Sequence, residues 1–560
     1  MKLSLSRISD LLKRYRSLLI LAFAALLAEL AYAILNLSAM PIYVAKTLHA
    51  GASLGYIGGT FLAIEALSRP GMGALGDKIG RKKLLLIGPA LTAITSYLTI
   101  IYHGNYVVPY LIVLRFVDGL GSGALWMNAF AAVGDVVEER NRSTAMSVLN
   151  VTYMGGMALA FLFGGKVNAY FGTFTASFYL ASILFVLSFI AFLFFPKTTK
   201  HKHVDIPGHE TPPDFKPSHL FRSFKEVPDM IAMAMVTFLG MGMLTLIVKL
   251  YAMDHLGLSE VVFGQWVAPI AILMGVCAIP LGRLGDKVGK TTAVCWGLLA
   301  TSIAMWMIAL SKNFVLVGIA GLLIGIGFTV AFPAWNALVL TSTNPNRRGE
   351  VLGAVGLAQG LAAMSGTLLG PMIYFSDALS FPKLGVVNYN VPFWLSAILI
   401  SAGTLICFTW VCAKRASSSK GDQFTCAQRY KIVALFIIGF IALAGWIGYQ
   451  YTMPIAPERV TWVWVQQLAR NKPEKAEKYS VKSEQGWNQK QIIKAKIKEY
   501  HKWIYNESGS YQVTVPKYIS KDKAEVEVKF SIPPKKSVKE TVVLCKTKPR
   551  GDWKVCGVKK

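Results

Sequence analysis

The stretch Gly73-Ala-Leu-Gly-Asp77-Lys-Ile-Gly80-Arg81 joins two long apolar runs and indicates how the whole chain is organised. In the second half of the chain, Gly282-Arg-Leu-Gly-Asp286-Lys-Val-Gly289-Lys290 repeats this order of glycine, aspartate and base between two further apolar runs. A repeat of this kind predicts two copies of one multi-helix unit. The alternative is a basic turn that only obeys the charge rule for membrane loops, but that explanation requires neither the aspartate nor the repeat.

The composition is typical of a polytopic membrane protein. Of the 560 residues, 54% are hydrophobic and only 16% are charged, which is too apolar for an ordinary soluble chain. The net charge of +28 would suggest nucleic acid in a soluble protein, but much of it lies in short loops between apolar runs. We therefore expect the charge to set the orientation in the bilayer, and we expect no nucleic-acid partner.

Apolar runs long enough to cross a bilayer, which takes about 20 residues in a helix, form two sets of six. The first set lies near 17–44, 52–72, 84–102, 106–133, 144–171 and 174–195. The second set lies near 228–252, 259–282, 291–310, 313–341, 350–374 and 391–413, and a thirteenth run covers 430–449. The sequence thus predicts an all-α polytopic membrane protein followed by a small extra-membrane α+β domain. The predicted domains are an N-terminal six-helix bundle (1–195), a cytoplasmic linker (196–227), a C-terminal six-helix bundle (228–415), a linker with a thirteenth transmembrane helix (416–450), and an extracytoplasmic domain (451–560).

Lys and Arg are concentrated in alternate loops, which marks those loops as cytoplasmic. The basic loops are the N-terminus, 76–83, 137–142, 197–225, 283–290, 347–348 and 414–431. The pattern predicts a multi-pass protein of the plasma or inner membrane with its N-terminus inside. An odd number of spans then places the C-terminal domain outside.

Residues from about 10 to 415 resemble the major facilitator superfamily. The two copies of Gly-x-Leu-x-Asp-Lys-x-Gly-Arg/Lys match that family's signature loop, and the two sets of six spans match its architecture. The resemblance implies two pseudo-symmetric six-helix bundles that rock about a central cavity and open it to each side in turn. It also implies a small-molecule substrate. We expect no cofactor, and no enzymatic activity, because no paired carboxylates or nucleophile–base spacing in the C-terminal segment rise above chance.

The signature loops are expected to act as latches. Glycine permits tight turns and close packing, and Asp77 is placed where it could accept backbone N–H bonds from a neighbouring helix start. In the family the loop is implied to hold the two halves together on the cytoplasmic side, with Asp77 and Arg81 as its charged parts. The first latch comprises Gly73, Asp77, Gly80 and Arg81, and the second comprises Asp286, Gly289 and Lys290.

Glu29 lies near the middle of the first predicted span, with Tyr32 and Asn36 on the same helical face. An ionisable side chain at this depth indicates a functional site. Burial disfavours the charged form of a carboxyl group, so proton uptake and release near neutral pH become feasible. We hypothesise that Glu29 is a proton site; the alternative is a static ion pair with Arg115 or Lys249.

The cavity could also contain side chains from other spans. Arg115-Phe-Val-Asp118-Gly resembles the family's Arg-x-x-Gln-Gly pattern, but Asp118 replaces the glutamine and could neutralise Arg115 locally. Lys249 lies towards the outer end of its span, where snorkelling is a sufficient explanation. Asn336, in the tenth span, could line the cavity.

The fifth span contains Gly156-x-x-x-Ala160-Phe161-x-x-Gly164-Gly165. It approximates an element associated with antiporters in the family, but Ala160-Phe161 replaces the family's Gly-Pro, which weakens the case for drug–proton exchange. Small residues at this spacing are equally explained by close helix packing.

The C-terminal segment has the pattern of an α+β domain. Helices are predicted at 457–470 and 487–505, and strands at 510–516, 523–532, 540–546 and 552–558. The order resembles domains of the nuclear-transport-factor-two-like type. Cys545 and Cys556 are predicted to form a disulfide across the last hairpin, because an extracytoplasmic location is oxidising. The remaining cysteines show no metal-ligand spacing and are interpreted as packing residues, with no metal site predicted.

The leading functional hypothesis is a secondary transporter coupled to protons, with efflux of amphipathic compounds preferred. One alternative is an uptake permease for an organic anion or sugar that pairs with Arg115 or Lys249. Another is a non-transporting membrane receptor with an external sensing domain. The C-terminal segment, with 24 Lys and Arg against 11 Asp and Glu, could contact anionic lipid or cell-wall polymer or be merely solvated.

Overall fold

The computed structural model describes the two helical halves and most of the C-terminal segment. The described residues are 16–137, 142–196, 224–256, 258–311, 313–343, 348–376, 389–412, 434, 438–439, 457–469, 471, 473–481, 489–503, 510–513, 516–520, 522–532, 536–546 and 553–559. The predicted thirteenth span at 430–449 lies almost wholly outside them, as do most of the two predicted linkers. Within the helices, the side chains of 282–287 are also outside the description.

The N-terminal half consists of six long helices that follow the six apolar runs. They are α1 (Arg16–Thr47), α2 (Leu54–Ile79), α3 (Arg81–Leu98), α4 (Val107–Val136), α5 (Arg142–Phe171) and α6 (Ala176–Leu193). The second part of α1 contains two π-helical segments, Ile34–Ala39 and Tyr43–Thr47. Such widened turns occur often at functional sites, and Asn36 lies in the first of them.

The C-terminal half begins with a broken helix. The predicted span 228–252 is two helices, α7 (Pro228–Leu244) and α8 (Val248–His255), bent by 43°. The Thr245 hydroxyl donates back to the Met241 carbonyl at 3.3 Å, a contact that tends to bend helices. The other helices of this half are α9 (Glu260–Val288), α10 (Lys290–Leu310), α11 (Phe314–Thr341), α12 (Arg348–Tyr374) and α13 (Val391–Val411).

Among the described residues, seven helices are long and apolar enough to cross a membrane. These are α1, α4, α6, α10, α11, α12 and α13, and the bent pair α7–α8 makes eight if it is one span. The helices α2, α3, α5 and α9 are also long but fall outside this set. The count of thirteen spans therefore stays a prediction.

The two halves meet at one end of the molecule. We call it the tail end, where α1 ends and α2 begins; the latch end is the opposite one, where α2 ends and α3 begins. At the tail end, a Cβ added to Gly55 of α2 would lie 2.2 Å from the carbonyl oxygen of Leu368 in α12. Glycine is therefore required for this contact between the halves. Lys46 and Asp254 form an ion pair at the same end.

The C-terminal segment, here the tail domain, folds as three helices and an antiparallel sheet. The helices are α14 (Pro457–Ala469), α15 (Pro473–Glu477) and α16 (Gln489–His501). The strands are β1 (Ser510–Val513), β2 (Lys517–Ser520), β3 (Lys523–Ile532), β4 (Lys536–Lys546) and β5 (Trp553–Lys559). The sheet order is β1-β3-β4-β5, with β2 also pairing with β3. The two predicted helices are present, α15 and β2 are additional, and Trp464, Tyr500 and Phe530 lie in the core.

The tail domain packs on the tail end of the helical halves. Val463, Tyr479 and Val513 of this domain belong to the same apolar cluster as Ile247 and Tyr251, which lie just before and within α8. The tail domain thus covers the end at which the two halves meet.

Candidate functional site

Glu29 is buried between three helices of the N-terminal half. Its side chain is only 5% exposed, and its Oε2 accepts a hydrogen bond of 3.0 Å from the indole N–H of Trp126 on α4. A Cβ on Gly156 of α5 would lie 2.8 Å from Glu29 Cβ, so this glycine lets the α5 backbone approach the carboxylate. Among the described side chains, no Lys or Arg forms an ion pair with Glu29. The alternative of a static pair with Arg115 or Lys249 is therefore wrong for this conformation.

Arg115 and Asp118 form a buried ion pair one turn apart on α4. The Nη2 to Oδ2 distance is 2.5 Å, and neither side chain has solvent exposure. Arg115 also donates to Thr99, directly after α3, at 3.2 Å and to the Asn36 side chain at 3.4 Å. Thr95 donates to the second oxygen of Asp118. The pair is thus neutral overall and has hydrogen-bond partners on two other helices.

Lys249 is not a snorkelling residue, since it is only 1% exposed and points to the interface between the halves. Its Nζ lies 2.5 Å from Oε1 of Glu260 at the start of α9 and donates to Ser38 of α1 at 2.7 Å. The Nδ2 of Asn168 on α5 donates to both oxygens of Glu260, at 3.3 and 3.1 Å. This buried cluster joins both halves at the tail end, and snorkelling as an explanation of Lys249 was wrong.

A pocket of about 500 Å³, which includes space open to solvent, lies within the C-terminal half between α7, α10, α11 and α12. Its walls are mainly aromatic and aliphatic, and Phe328 stacks on Phe332 at 4.9 Å. Three polar atoms in the wall have no hydrogen-bond partner among the described residues: Thr237 Oγ1, Trp335 Nε1 and Gln359 Nε2. These atoms are buried within the wall, so the surface that the pocket presents is apolar and suits the apolar part of an amphipathic ligand.

The first latch holds three helices of one half together. The Arg81 guanidinium donates to Asp135 on α4 at 2.7 Å and to Asp77 on α2 at 3.1 Å. Asp77 is 66% exposed, and its observed partner is Arg81, not the backbone N–H groups that the sequence suggested. The described contacts of Arg81 and Asp77 remain within the N-terminal half.

The second latch is described only in part. Gly289 separates α9 from α10 and has a φ of 95°, close to the 98° of Gly80 between α2 and α3. The Asp286 side chain lies outside the described residues, and Lys290 is half-buried at the start of α10. Gly73 of the first latch lies within α2, where an added Cβ would meet Met127 at 3.7 Å.

The predicted cavity residues do not form one site. The Tyr32 hydroxyl shares a hydrogen bond of 2.8 Å with Thr92 of α3, and its ring packs edge-on against Phe185. Asn336 is half-buried on α11, next to the pocket residue Trp335. Asp135 and Glu260 were not predicted as site residues, because they lie near helix ends and look like ordinary loop charges in the sequence.

In the tail domain, Cys545 and Cys556 are joined by an S–S bond of 2.06 Å. The strand register differs from a symmetric hairpin, because Cys545 pairs with Lys554 and an irregularity follows at Val543 and Leu544. Cys556 thus lies at the irregularity in β5 and not directly opposite Cys545.

The family model of the Major Facilitator Superfamily matches residues 21–367 of the chain and, in a second match, residues 230–464. The chain is 26% identical to the multidrug resistance protein MdtG of Proteus mirabilis, over 60% of this chain and 83% of that protein. It is 23% identical to the class B tetracycline resistance protein of Escherichia coli, over 65% and 88%. It is 22% identical to the proton-coupled antiporter flippase LtaA of Staphylococcus epidermidis, over 59% and 78%.

Solved structures share the fold at lower identity. The nucleoside transporter NupG superposes with a TM-score of 0.57 at 13% identity, over 70% of this chain and 98% of that one. The peptide transporter POT gives a TM-score of 0.57 at 13% identity, over 72% and 96%. These likenesses concern the helical architecture alone.

Proposed function

The chain belongs to the Major Facilitator Superfamily, and on that premise we propose that it is a proton-coupled exporter of amphipathic small molecules. It is a multi-pass membrane transporter and not an enzyme. The coupling ion, the substrate class and the direction of transport are the proposed part. Relatives whose names denote multidrug or tetracycline resistance support export, and a relative named as a proton-coupled antiporter supports coupling to protons.

The observation that carries the proposal is the environment of Glu29. A buried carboxylate without a cation is costly in a low-dielectric interior, and among the described side chains the indole of Trp126 is its one hydrogen-bond donor. A neutral, protonated Glu29 avoids this cost. A conformation that admits water would let the proton leave, so the protonation of Glu29 can differ between the two states of a transport cycle.

The buried cations argue against an uptake permease for organic anions. Arg115 is already neutralised by Asp118, and Lys249 by Glu260. An anionic substrate would have to displace a carboxylate from either cation. The pocket of the C-terminal half, in contrast, has aromatic and aliphatic walls, and no charged side chain lies among its described lining residues.

Alternating access between pseudo-symmetric halves is the proposed mechanism. Contacts of Gly55, Lys46 and Lys249 join the halves at the tail end, whereas Asp77 at the latch end is exposed. These contacts support a state that is closed at the tail end. The matching backbone of Gly80 and Gly289 and the two overlapping family matches support the repeat of one unit.

The tail end would face away from the cytoplasm, because the basic loops lie at the latch end. A thirteenth span at 430–449 would then connect the last cytoplasmic loop to the tail domain on the outer side. We propose a nuclear-transport-factor-two-like fold for this domain. Its basic surface would contact anionic lipid or cell-wall polymer.

The experiment that tests the function is transport by the purified full chain in vesicles. A panel of amphipathic dyes, sugars and organic acids is tested with and without an imposed pH gradient. Proton-driven movement of the dyes, without movement of sugars or acids, is the expected result. Gradient-independent uptake of an organic acid or a sugar would favour the permease, and no movement of any compound would favour the receptor.

A further inference from the structure

Three cysteines that are far apart in the sequence meet inside the C-terminal half. Cys295 lies on α10, Cys407 near the end of α13, and Cys412 directly after α13. The Sγ atom of Cys295 is 2.9 Å from that of Cys407 and 2.8 Å from that of Cys412. All three side chains are buried. These cysteines were predicted from the sequence to be small packing residues without metal-ligand spacing, and their convergence was not predicted.

The local backbone of α13 makes this convergence possible. In an α-helix with 3.6 residues per turn, positions five apart point about 140° away from each other. The segment Cys407–Val411 is π-helical, and the Cys412 N–H donates to the Cys407 carbonyl, an i to i+5 bond. This widened turn brings the two side chains to one face, towards Cys295. Widened turns of this kind are often found at functional sites.

We propose that Cys295, Cys407 and Cys412 form a trigonal thiolate site for a soft metal ion, with Cu(I) as the ion that the donor set favours. Their sulfur atoms all lie within 4.8 Å of one another. A trigonal ion bonded at about 2.3 Å to each sulfur would hold the sulfurs about 4 Å apart, so the two short separations would widen by about 1 Å as the ion binds. Soft sulfur ligands select Cu(I) and Zn²⁺ over harder cations. Structural Zn²⁺ almost always has four ligands, whereas the described side chains supply three sulfurs and no histidine or carboxylate beside them. This set of three donors favours Cu(I) over Zn²⁺.

The position of the site is compatible with reduced thiols. Cys295 is five residues from the start of α10, which is about 8 Å along the helix at 1.5 Å per residue. That start is at the latch end, which the charge pattern predicts to be cytoplasmic, and thiols there stay reduced. Each thiol that becomes a thiolate ligand releases one proton to solvent as Cu(I) binds.

A bound ion would tie α10 to α13 at the latch end. Because the folded chain would hold the ion more tightly than the unfolded chain, whose separate thiols bind it weakly, the ion would raise the stability of this half as its concentration rises. The site lies outside the pocket of the C-terminal half and contains no residue of the proposed proton site. Its failure and the failure of the proposed transport function are therefore distinguishable.

The test uses the purified full chain with Cu(I) as the probe. Ascorbate keeps the copper reduced and leaves the tail disulfide intact, and a chromogenic Cu(I) chelator competes for the ion. We expect one Cu(I) per chain, an X-ray absorption spectrum with three sulfur ligands, and an increase in the thermal unfolding temperature. Cys295→Ala should weaken binding at least tenfold, whereas the matched control Cys277→Ala should not change it.

The result that would overturn the proposal is binding that survives in the triple variant Cys295→Ala/Cys407→Ala/Cys412→Ala, or equal loss in Cys277→Ala. A wild-type spectrum with nitrogen or oxygen ligands, or no bound copper at all, would also overturn it. If the alanine variants fail to fold, Cys295→Ser and the wild-type absorption spectrum give the answer without them.

Discussion

Gly80 and Gly289 adopt nearly the same backbone conformation, with φ and ψ of 98° and 130° at the first and 95° and 140° at the second. Each glycine ends one long helix and directly precedes the next. Residues with a side chain rarely adopt this conformation. The two halves of the chain thus reverse direction at their latches with the same local geometry.

Replacing Gly80 or Gly289 by alanine should destabilise the protein. A side chain in this region of φ and ψ costs about 1–3 kcal/mol, so a lower thermal unfolding temperature is expected for each variant in detergent. Gly71→Ala is the matched control. Gly71 lies within α2, away from both helix ends, at an exposed position where an added Cβ would meet no other atom within 4 Å. This control should unfold at the wild-type temperature or above it. Equal stability of Gly80→Ala and Gly71→Ala would contradict the assignment.

The Lys249–Glu260 pair should behave as a coupled unit. Removing one partner leaves a buried charge, which costs about 3–5 kcal/mol. We therefore expect Lys249→Met and Glu260→Gln each to lower stability strongly, and the double variant to lose less than the sum of the two. The comparison of four unfolding curves measures this coupling. Additive losses would mean that the two side chains do not interact.

The element types were largely predictable, because an apolar run of bilayer length permits few structures other than a helix. The tail strands were predictable from alternation such as Ala524, Val526 and Val528, which are all buried on one face. β2 was not, because Lys517–Ser520 is exposed throughout and shows no alternation. The break between α7 and α8 was also missed, since it occurs without proline or glycine.

The site was less predictable than the fold, because pairing depends on which helices are neighbours. Lys249 was placed correctly on its span, but its partner Glu260 looked like an acidic residue at a helix start. Similarly, Cys295 and Cys407 are 112 positions apart in the chain. Their convergence with Cys412 also requires a π-helical turn, for which the sequence has no clear signal.

The contact between the tail domain and the helical halves should weaken at acidic pH. Burial lowers the pKa of His49, between α1 and α2, and the nearby His501 and Lys46 lower it further. The folded pKa lies below the unfolded value of about 6.5. The stabilisation from neutral His49 is therefore present above that value and is lost as the pH falls through the folded pKa.

Hydrogen exchange of residues 489–501 measures this effect. The exchange rates are first corrected for the pH dependence of intrinsic exchange. We then expect exchange in the wild type to become faster as the pH falls below about 6.5. His49→Gln should reduce this dependence, whereas His103→Gln, at an exposed position in another loop, should leave it unchanged. An identical pH dependence in His49→Gln and the wild type would exclude His49 as its cause.

The tail cysteines should be resistant to thiol reagents. The chain has 7 cysteines, and a bond between Cys545 and Cys556 leaves five reactive thiols in the denatured, unreduced protein. Labelling followed by mass spectrometry should therefore count five modified residues without reductant and seven with it. Modification of both tail cysteines without reductant would refute the disulfide.

Proton coupling through Glu29 is the central claim. Glu29→Gln preserves the size of the side chain and can keep the hydrogen bond from Trp126, but it cannot exchange a proton. Glu525→Gln is the control with the same chemical change, since Glu525 lies on β3 of the tail domain and pairs with Lys559 at 2.6 Å.

The most direct test is transport of an amphipathic dye by the full chain in vesicles, measured both as accumulation driven by a pH gradient and as exchange of labelled for unlabelled dye. We expect Glu29→Gln to lose gradient-driven accumulation while exchange continues, and Glu525→Gln to retain both. Undiminished accumulation by Glu29→Gln under the same pH gradient would contradict it.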